Sequence, residues 1–152
     1  MVAVVTFNTN PTTHFDLDDL SDKTSVLNSI SDLKTVMLSG ERNAHTAFTH
    51  VLTNIYNIDE GQKTVVNSDL VVIMYGESAS ESQTLFTVFD LDSAEITLYA
   101  VGVGNFVLDS TMNKELSNIA TNPDNEHTFY VEDVSYLCNY ISNVTVRLGK
   151  YQ

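Results

Sequence analysis

The stretch "LVVIMYGES", Leu70 to Ser78, is an apolar run halted by a glycine and an acid. In α/β proteins a buried strand ends this way when it delivers a loop to a functional edge. Such edges often carry a carboxylate just before the glycine, for a metal or a reaction. Here that residue is Tyr75. Working outward, "VAVVTF" at Val2–Phe7 and "ITLYAVGV" at Ile96–Val103 are also apolar throughout and rich in β-branched residues. All three read as strands buried on both faces.

Helical spacing separates them. Val26, Leu27, Ile30 and Leu33 mark one face, with Ser21 or Asp22 available as N-cap. After a loop at Gly40, the residues Ala47, Phe48, Val51, Leu52, Ile55 and Tyr56 mark a second helix. "SESQ" at 80–83 suits a capping box before a helix through Phe89. Asp109–Ala120 is a further helix, "TNPDN" breaks it, and "HTFYV" is a short strand. Val134, Leu137, Ile141, Val144 and Leu148 mark a last helix. Residues 13–17, "THFDL", alternate and read as an antiparallel edge strand. The pattern predicts an α/β fold, a Rossmann-like three-layer α/β/α arrangement with a mostly parallel central sheet and one antiparallel edge strand. Residues 1–149 read as a single domain, with no repeat and no linker.

The chain has 152 residues, 43% of them hydrophobic, and 20 acids against 7 Lys and Arg, for a formal charge of −13. That acidity disfavours phosphate-neutralising contacts with nucleic acid and docking on anionic membranes. It suits a solvated acidic surface. Cys138 is the single cysteine, so no internal disulfide forms, and its setting is that of a small core hydrophobe. No stretch has the eighteen or so apolar residues of a membrane span, and "MVAVVTFNTN" lacks a signal peptide's basic start.

The motifs of common chemistries fail on spacing. "GVGNFV" supplies Gly102 and Gly104 but has Val107 where a dinucleotide fingerprint has its third glycine. The glycines read instead as a tight turn at a strand end. His45 and His50 are five apart, off the i, i+4 spacing of helical zinc ligands; His14 and His127 stand alone. Asp16, Asp18 and Asp19 in "FDLDDL" lack the glycine and distal Glu of a calcium loop, so a solvated turn is the better reading. No nucleophile elbow is present. Asn143 in "NVT" is a glycosylation sequon that would matter only outside the cell.

Taken in order, "VAVVTFNTN…FDL", "LSGERNAHTAF", "LVVIMYGES", "ITLYAVGVGNF", "ELSNIATNP" and "HTFYVEDVSYL" resemble a von Willebrand factor A domain, nearest its extracellular-matrix and adhesion branch. That family opens with a strand ending in Asp-x-Ser-x-Ser and then a helix, and this sequence has neither. The resemblance places the missing strand centrally, between Val2–Phe7 and Leu70–Met74. Each buried backbone group left unpaired would cost about 1–3 kcal/mol. Two outcomes follow: a fragment of a longer chain, which is the favoured expectation, or two half-sheets that close directly on each other.

The resemblance also implies a metal-ion-dependent adhesion site at the strand ends. Its threonine position falls on Arg42 and its aspartate position on Tyr75. A guanidinium repels a hard cation and a neutral phenol binds one poorly. No metal and no cofactor are therefore expected. Arg42 could instead pair with Glu41, Glu77 or an incoming carboxylate, or point into water. The reading that results is a non-catalytic binding module for a collagen, another matrix protein or its own kind, outside the cell and within a longer chain. The candidate edge is Glu41, Arg42, Asn43, Tyr75, Glu77, Ser78, Asn105 and Phe106. A spacer domain is the alternative. A hydrolase or nucleotide-binding enzyme would need a base and a nucleophile that no constellation here supplies.

Overall fold

The computed structural model describes residues 2–20, 22–33, 40–56, 68–75, 81–104, 110–133 and 136. They fall into two compact units, Met1–Thr64 with Ser78–Thr87, and Val65–Glu77 with Val88–Gln152. Cys138, Asn143 and the helix expected after Val134 lie outside the described residues.

In the first unit, β1 (Val4–Phe7) and β2 (Pro11–Phe15) form an antiparallel pair. The edge strand thus begins two residues before its expected start. Proline is tolerated there because a strand's first residue need not donate to the ladder. β1 is half-buried rather than covered on both faces, since among the described residues it has only β2 beside it. α1 (Lys23–Asp32) is capped by Asp22, whose carboxylate accepts from the backbone N–H of Thr24 and Ser25 and from the Ser25 hydroxyl. The apolar face expected from Val26 to Leu33 buries no side chain fully. α2 (Ala44–His50) is capped by Asn43 and runs on as a π-helical turn, Val51–Ile55. Ala44, Ala47, Phe48 and Val51 fill its buried side.

The cap at Asp22 makes a testable pH dependence. The Ser25 hydroxyl, then the Ser25 and Thr24 amides, hold the carboxyl below its ordinary value of 3.8. A lowered native pKa contributes stability that is present above the unfolded value and is lost as pH falls through the native one. Asp22→Ala should therefore lower the urea midpoint at neutral pH. The gap from wild type should close in acid, once the wild-type carboxyl is also protonated. A gap constant across pH would assign the effect to the backbone instead.

The second unit is a parallel sheet in the order β3-β4-β5, formed by Ser68–Met74, Ile96–Val103 and Thr128–Val131. Helix α3 (Glu81–Ser93) precedes β4, while α4 (Ser110–Ile119) and a single turn, α5 (Asp124–His127), precede β5. Parallel neighbours require such crossovers. β4 is central and buried on both faces. Tyr99, Val101, Phe129 and Val131 form one apolar layer, and the register sets Val101 beside Phe129 and Val103 beside Val131. Thr121 ties the chain after α4 to β4. Its hydroxyl accepts from the Leu98 N–H and its own N–H donates to the Leu98 carbonyl.

A parallel sheet flanked by helices and a separate antiparallel pair match the expected strand types. The described strands nonetheless form two sheets rather than one continuous sheet. β3 differs from expectation too. Leu70, Val72 and Met74 face inward, whereas Val71 is 40% exposed and Ile73 is 46% exposed.

Candidate functional site

The first unit builds its strand end from asparagines. At the carboxyl end of β1, Asn8 offers its carbonyl to the Asn43 N–H at 2.9 Å. The Asn8 side chain turns the chain by accepting from the Asn10 N–H at 3.1 Å. Asn43 Oδ1 accepts from the Thr46 N–H, and the Thr46 hydroxyl donates back to the Asn43 carbonyl. That reciprocal cap anchors the segment 40–43 beside the strand end. Gly40, at φ +105°, opens the segment, and a Cβ there would sit 2.6 Å from the Thr9 hydroxyl oxygen. Glu41 and Arg42 are exposed between these two fixed points. The loop "NTN" at 8–10 forms this strand end, although none of its residues is among the candidates read from the sequence. Its signal was two asparagines following an apolar strand.

The second unit contributes Tyr75. It follows β3 and is 67% exposed. Its ring lies against Gly104, where a Cβ would come within 3.1 Å of Tyr75 Cε2. Gly104 takes φ +96°, and its N–H donates to the Val131 carbonyl at 2.7 Å. The glycine therefore closes the end of β4 onto β5 and leaves a flat seat for an aromatic ring. An amide already committed to Val131 does not cradle a phosphate, which agrees with reading these glycines as a turn. At the same end of this sheet the Tyr130 hydroxyl donates to Asn113 Oδ1.

Arg42 and Tyr75 thus stand in different units, each at the carboxyl end of its own strand. Glu77, Ser78, Asn105 and Phe106 lie outside the described residues, as does any pairing of Arg42 with Glu77. The positions that the resemblance assigns to the metal's threonine and aspartate are Arg42 and Tyr75, a guanidinium and a phenol packed on a glycine. That donor set does not fit a divalent cation that seeks anionic and carbonyl oxygens. Among the described residues no group of three or more His, Cys, Asp or Glu is placed to hold a metal.

Several other polar side chains have structural roles. Asp16 Oδ1 accepts from the Leu17 N–H, and Asp19 Oδ2 accepts from the Asp16 N–H, closing a turn. His14 Nε2 shares a hydrogen bond with the Thr6 hydroxyl across the β1–β2 pair. Asn54 donates to His50 Nδ1, so the neutral ring carries its proton on Nε2 and donates it to the Thr13 hydroxyl. That bond fastens α2 to β2. The His127 ring donates from Nδ1 to the Pro123 carbonyl and meets Tyr99 edge-on, with centroids 4.9 Å apart. Among the described residues no helix is long and apolar enough to cross a membrane.

Comparison with known proteins bears on the fold and the family. The model of the von Willebrand factor type A domain matches residues 1–143. Human integrin alpha-X is 28% identical over 136 residues, which is 89% of this chain and 12% of that protein. The collagen alpha-1(XII) chain of Notophthalmus viridescens is 24% identical over 144 residues, 95% of this chain and 14% of that one. The chain therefore spans only about an eighth of the length of these relatives. Proximal thread matrix protein 1 from the mussel byssus superimposes with a TM-score of 0.78 at 23% identity, over 96% of this chain and 34% of that one. A second structure of that protein has a zinc-occupied MIDAS motif, the metal-ion-dependent adhesion site, and superimposes with a TM-score of 0.76.

Proposed function

Because the chain belongs to the von Willebrand factor type A family, we propose that it is a non-catalytic protein-binding module that works without a metal ion. Residues 1–149 act as one domain in this reading, placed outside the cell among matrix or adhesion proteins. The relatives in an integrin and in a collagen support that setting. The partner is a matrix protein such as a collagen, or a second copy of the chain. Tyr75 carries the reading. It is an aromatic side chain, two-thirds exposed and braced from behind by Gly104, standing where the family's site has its carboxylate. Braced, exposed aromatics are what protein interfaces use as anchors. A spacer has no use for one.

The chemistry of recognition then changes. A bridging cation would select an acidic side chain on the partner. Tyr75 offers an aromatic ring instead, so shape and hydrogen bonding select the partner. Calorimetric titration with Mg²⁺ or Mn²⁺ should give no saturable heat. Binding to immobilised collagens or matrix extracts should survive EDTA. Tyr75→Ala should weaken it by about tenfold or more. Saturable Mg²⁺ binding, loss of adhesion on chelation, or full binding by the Tyr75→Ala chain would each overturn the proposal.

A further inference from the structure

Helix α3 is apolar on the side where a surface helix is polar. Thr84, Thr87 and Leu91 form its buried side. The Thr87 hydroxyl reaches back to the Thr84 carbonyl at 3.0 Å, so the helix satisfies that polar group itself. The winding carries Leu85, Phe86 and Phe89 round to the opposite side, where they are 43%, 75% and 69% exposed. Spacings of three and four residues bring these side chains together, with Cβ atoms about 5–6 Å apart. Their grouping is set within one helix, and they project away from the side that α3 buries. Together they expose on the order of 350 Å² of apolar surface. That is the size of the largest patch on a typical monomer, which is often functional. A helix that is apolar all round is normally one that is covered all round.

The charges beside the stripe say what covers it. Asp90 lies four residues beyond Phe86, and Asp92 lies three beyond Phe89, so an exposed carboxylate stands on each shoulder. Both are in the last turn of α3, where the helix dipole is negative and cations are the stabilising neighbours. That turn has no basic residue, and neither has the rest of the helix, ESQTLFTVFDLDS. We propose that this face of α3 docks an amphipathic helix of another protein, one whose apolar stripe is flanked by Lys or Arg. Its apolar side chains cover Leu85, Phe86 and Phe89, while its cations neutralise Asp90, Asp92 and the end of the dipole together. A second copy would set the same carboxylates against these, on a chain that carries −13. An anionic membrane is repelled for the same reason. Two phenylalanines and a leucine suit the centre of an interface. The area is below the roughly 800 Å² per partner of a standard one, so the complex is transient. Salt weakens it by screening the attraction. Tyr75 takes no part, and the proposal stands or falls independently of the adhesive reading.

The probe is a fluorescein-labelled amphipathic helix of leucines and lysines, about five turns long. It is titrated by anisotropy with the full chain, in roughly 50 and 300 mM salt. Saturable one-to-one binding that weakens in salt is expected, and the same peptide with glutamate in place of lysine should not bind. Phe86→Ser with Phe89→Ser should weaken binding by about tenfold or more. Asp90→Asn with Asp92→Asn should weaken it similarly. The aspartate pair should also raise the urea midpoint of the free chain, because it relieves the dipole. All four side chains are exposed, and far-UV circular dichroism checks that the variants fold. In the wild-type chain, bound peptide should slow hydrogen exchange of the α3 amides, a readout that needs no variant. Binding indifferent to the phenylalanine pair, protection confined to other elements, or a lower urea midpoint for the aspartate pair would each reject the proposal. Self-association that the phenylalanine pair abolishes would assign the face to a second copy instead. Binding to lipid vesicles through the same residues would assign it to a membrane, and either result overturns the proposal.

Discussion

Leu98→Ala should cost about 2–5 kcal/mol, enough to leave much of the chain unfolded at ambient temperature if its total stability lies in the usual range of roughly 5–15 kcal/mol. Leu98 is 0% exposed, in the central strand of the parallel sheet. Its backbone is held by Thr121 through both its N–H and its carbonyl. With the strand pinned, the neighbours cannot close over the space that the side chain leaves. The loss then includes a cavity as well as the forfeited transfer energy. Ile73→Ala is the matched control. It removes an aliphatic side chain from the adjacent strand, but one 46% exposed, so its cost should stay below about 1.5 kcal/mol. Urea unfolding of the two variants measures the difference. Equal losses would mean that β3 is as enclosed as β4.

Gly104→Ala should destabilise the second unit by about 1–3 kcal/mol, through two separable causes. One is the backbone, at φ +96°, which L-residues rarely adopt. The other is the methyl group, which would arrive 3.1 Å from Tyr75 Cε2. The tyrosine ring is exposed and can swing away, so the second cause is relieved by removing it. In a double-mutant cycle, Gly104→Ala made in a Tyr75→Ala background should cost less than in wild type by about 0.5–1 kcal/mol. The remainder belongs to φ. Additive effects would show that the ring does not rest on the glycine. The same displacement would loosen the proposed anchor, so binding should weaken in Gly104→Ala even when temperature is lowered to keep the chain folded.

How far the sequence reaches differs by element. Ile96–Val103 coincides with β4 from end to end, because a strand buried on both faces needs apolar residues at every position. The cap of α1 is narrowed to Ser21 or Asp22 because a side-chain acceptor just before a periodic apolar run has one local use, and the structure uses Asp22. α2 is found by its period, but Leu52 and Ile55, expected on its buried side, are only half-covered. The chain winds as a π-helix from Val51, and the wider winding turns those residues off the face that a 3.6-residue period predicts. α5 escapes notice because four residues carry no period at all.

The candidate edge divides along the same line. That Tyr75 is a phenol and Arg42 a guanidinium, both poor company for a hard cation, the letters alone convey. That Tyr75 stands two-thirds exposed against Gly104, and that the Asn8 carbonyl holds the loop of Arg42 through Asn43, depends on residues 29 and 35 positions apart. By itself, then, the sequence determined the order of the described strands and longer helices, and the family. These follow from hydrophobic period and functional groups, which are local. Only the tertiary structure decided that β3 leaves Val71 and Ile73 uncovered and that the strands make two sheets. An apolar residue records that a side chain is fit for burial, while the element that covers it comes from elsewhere in the chain or from a partner.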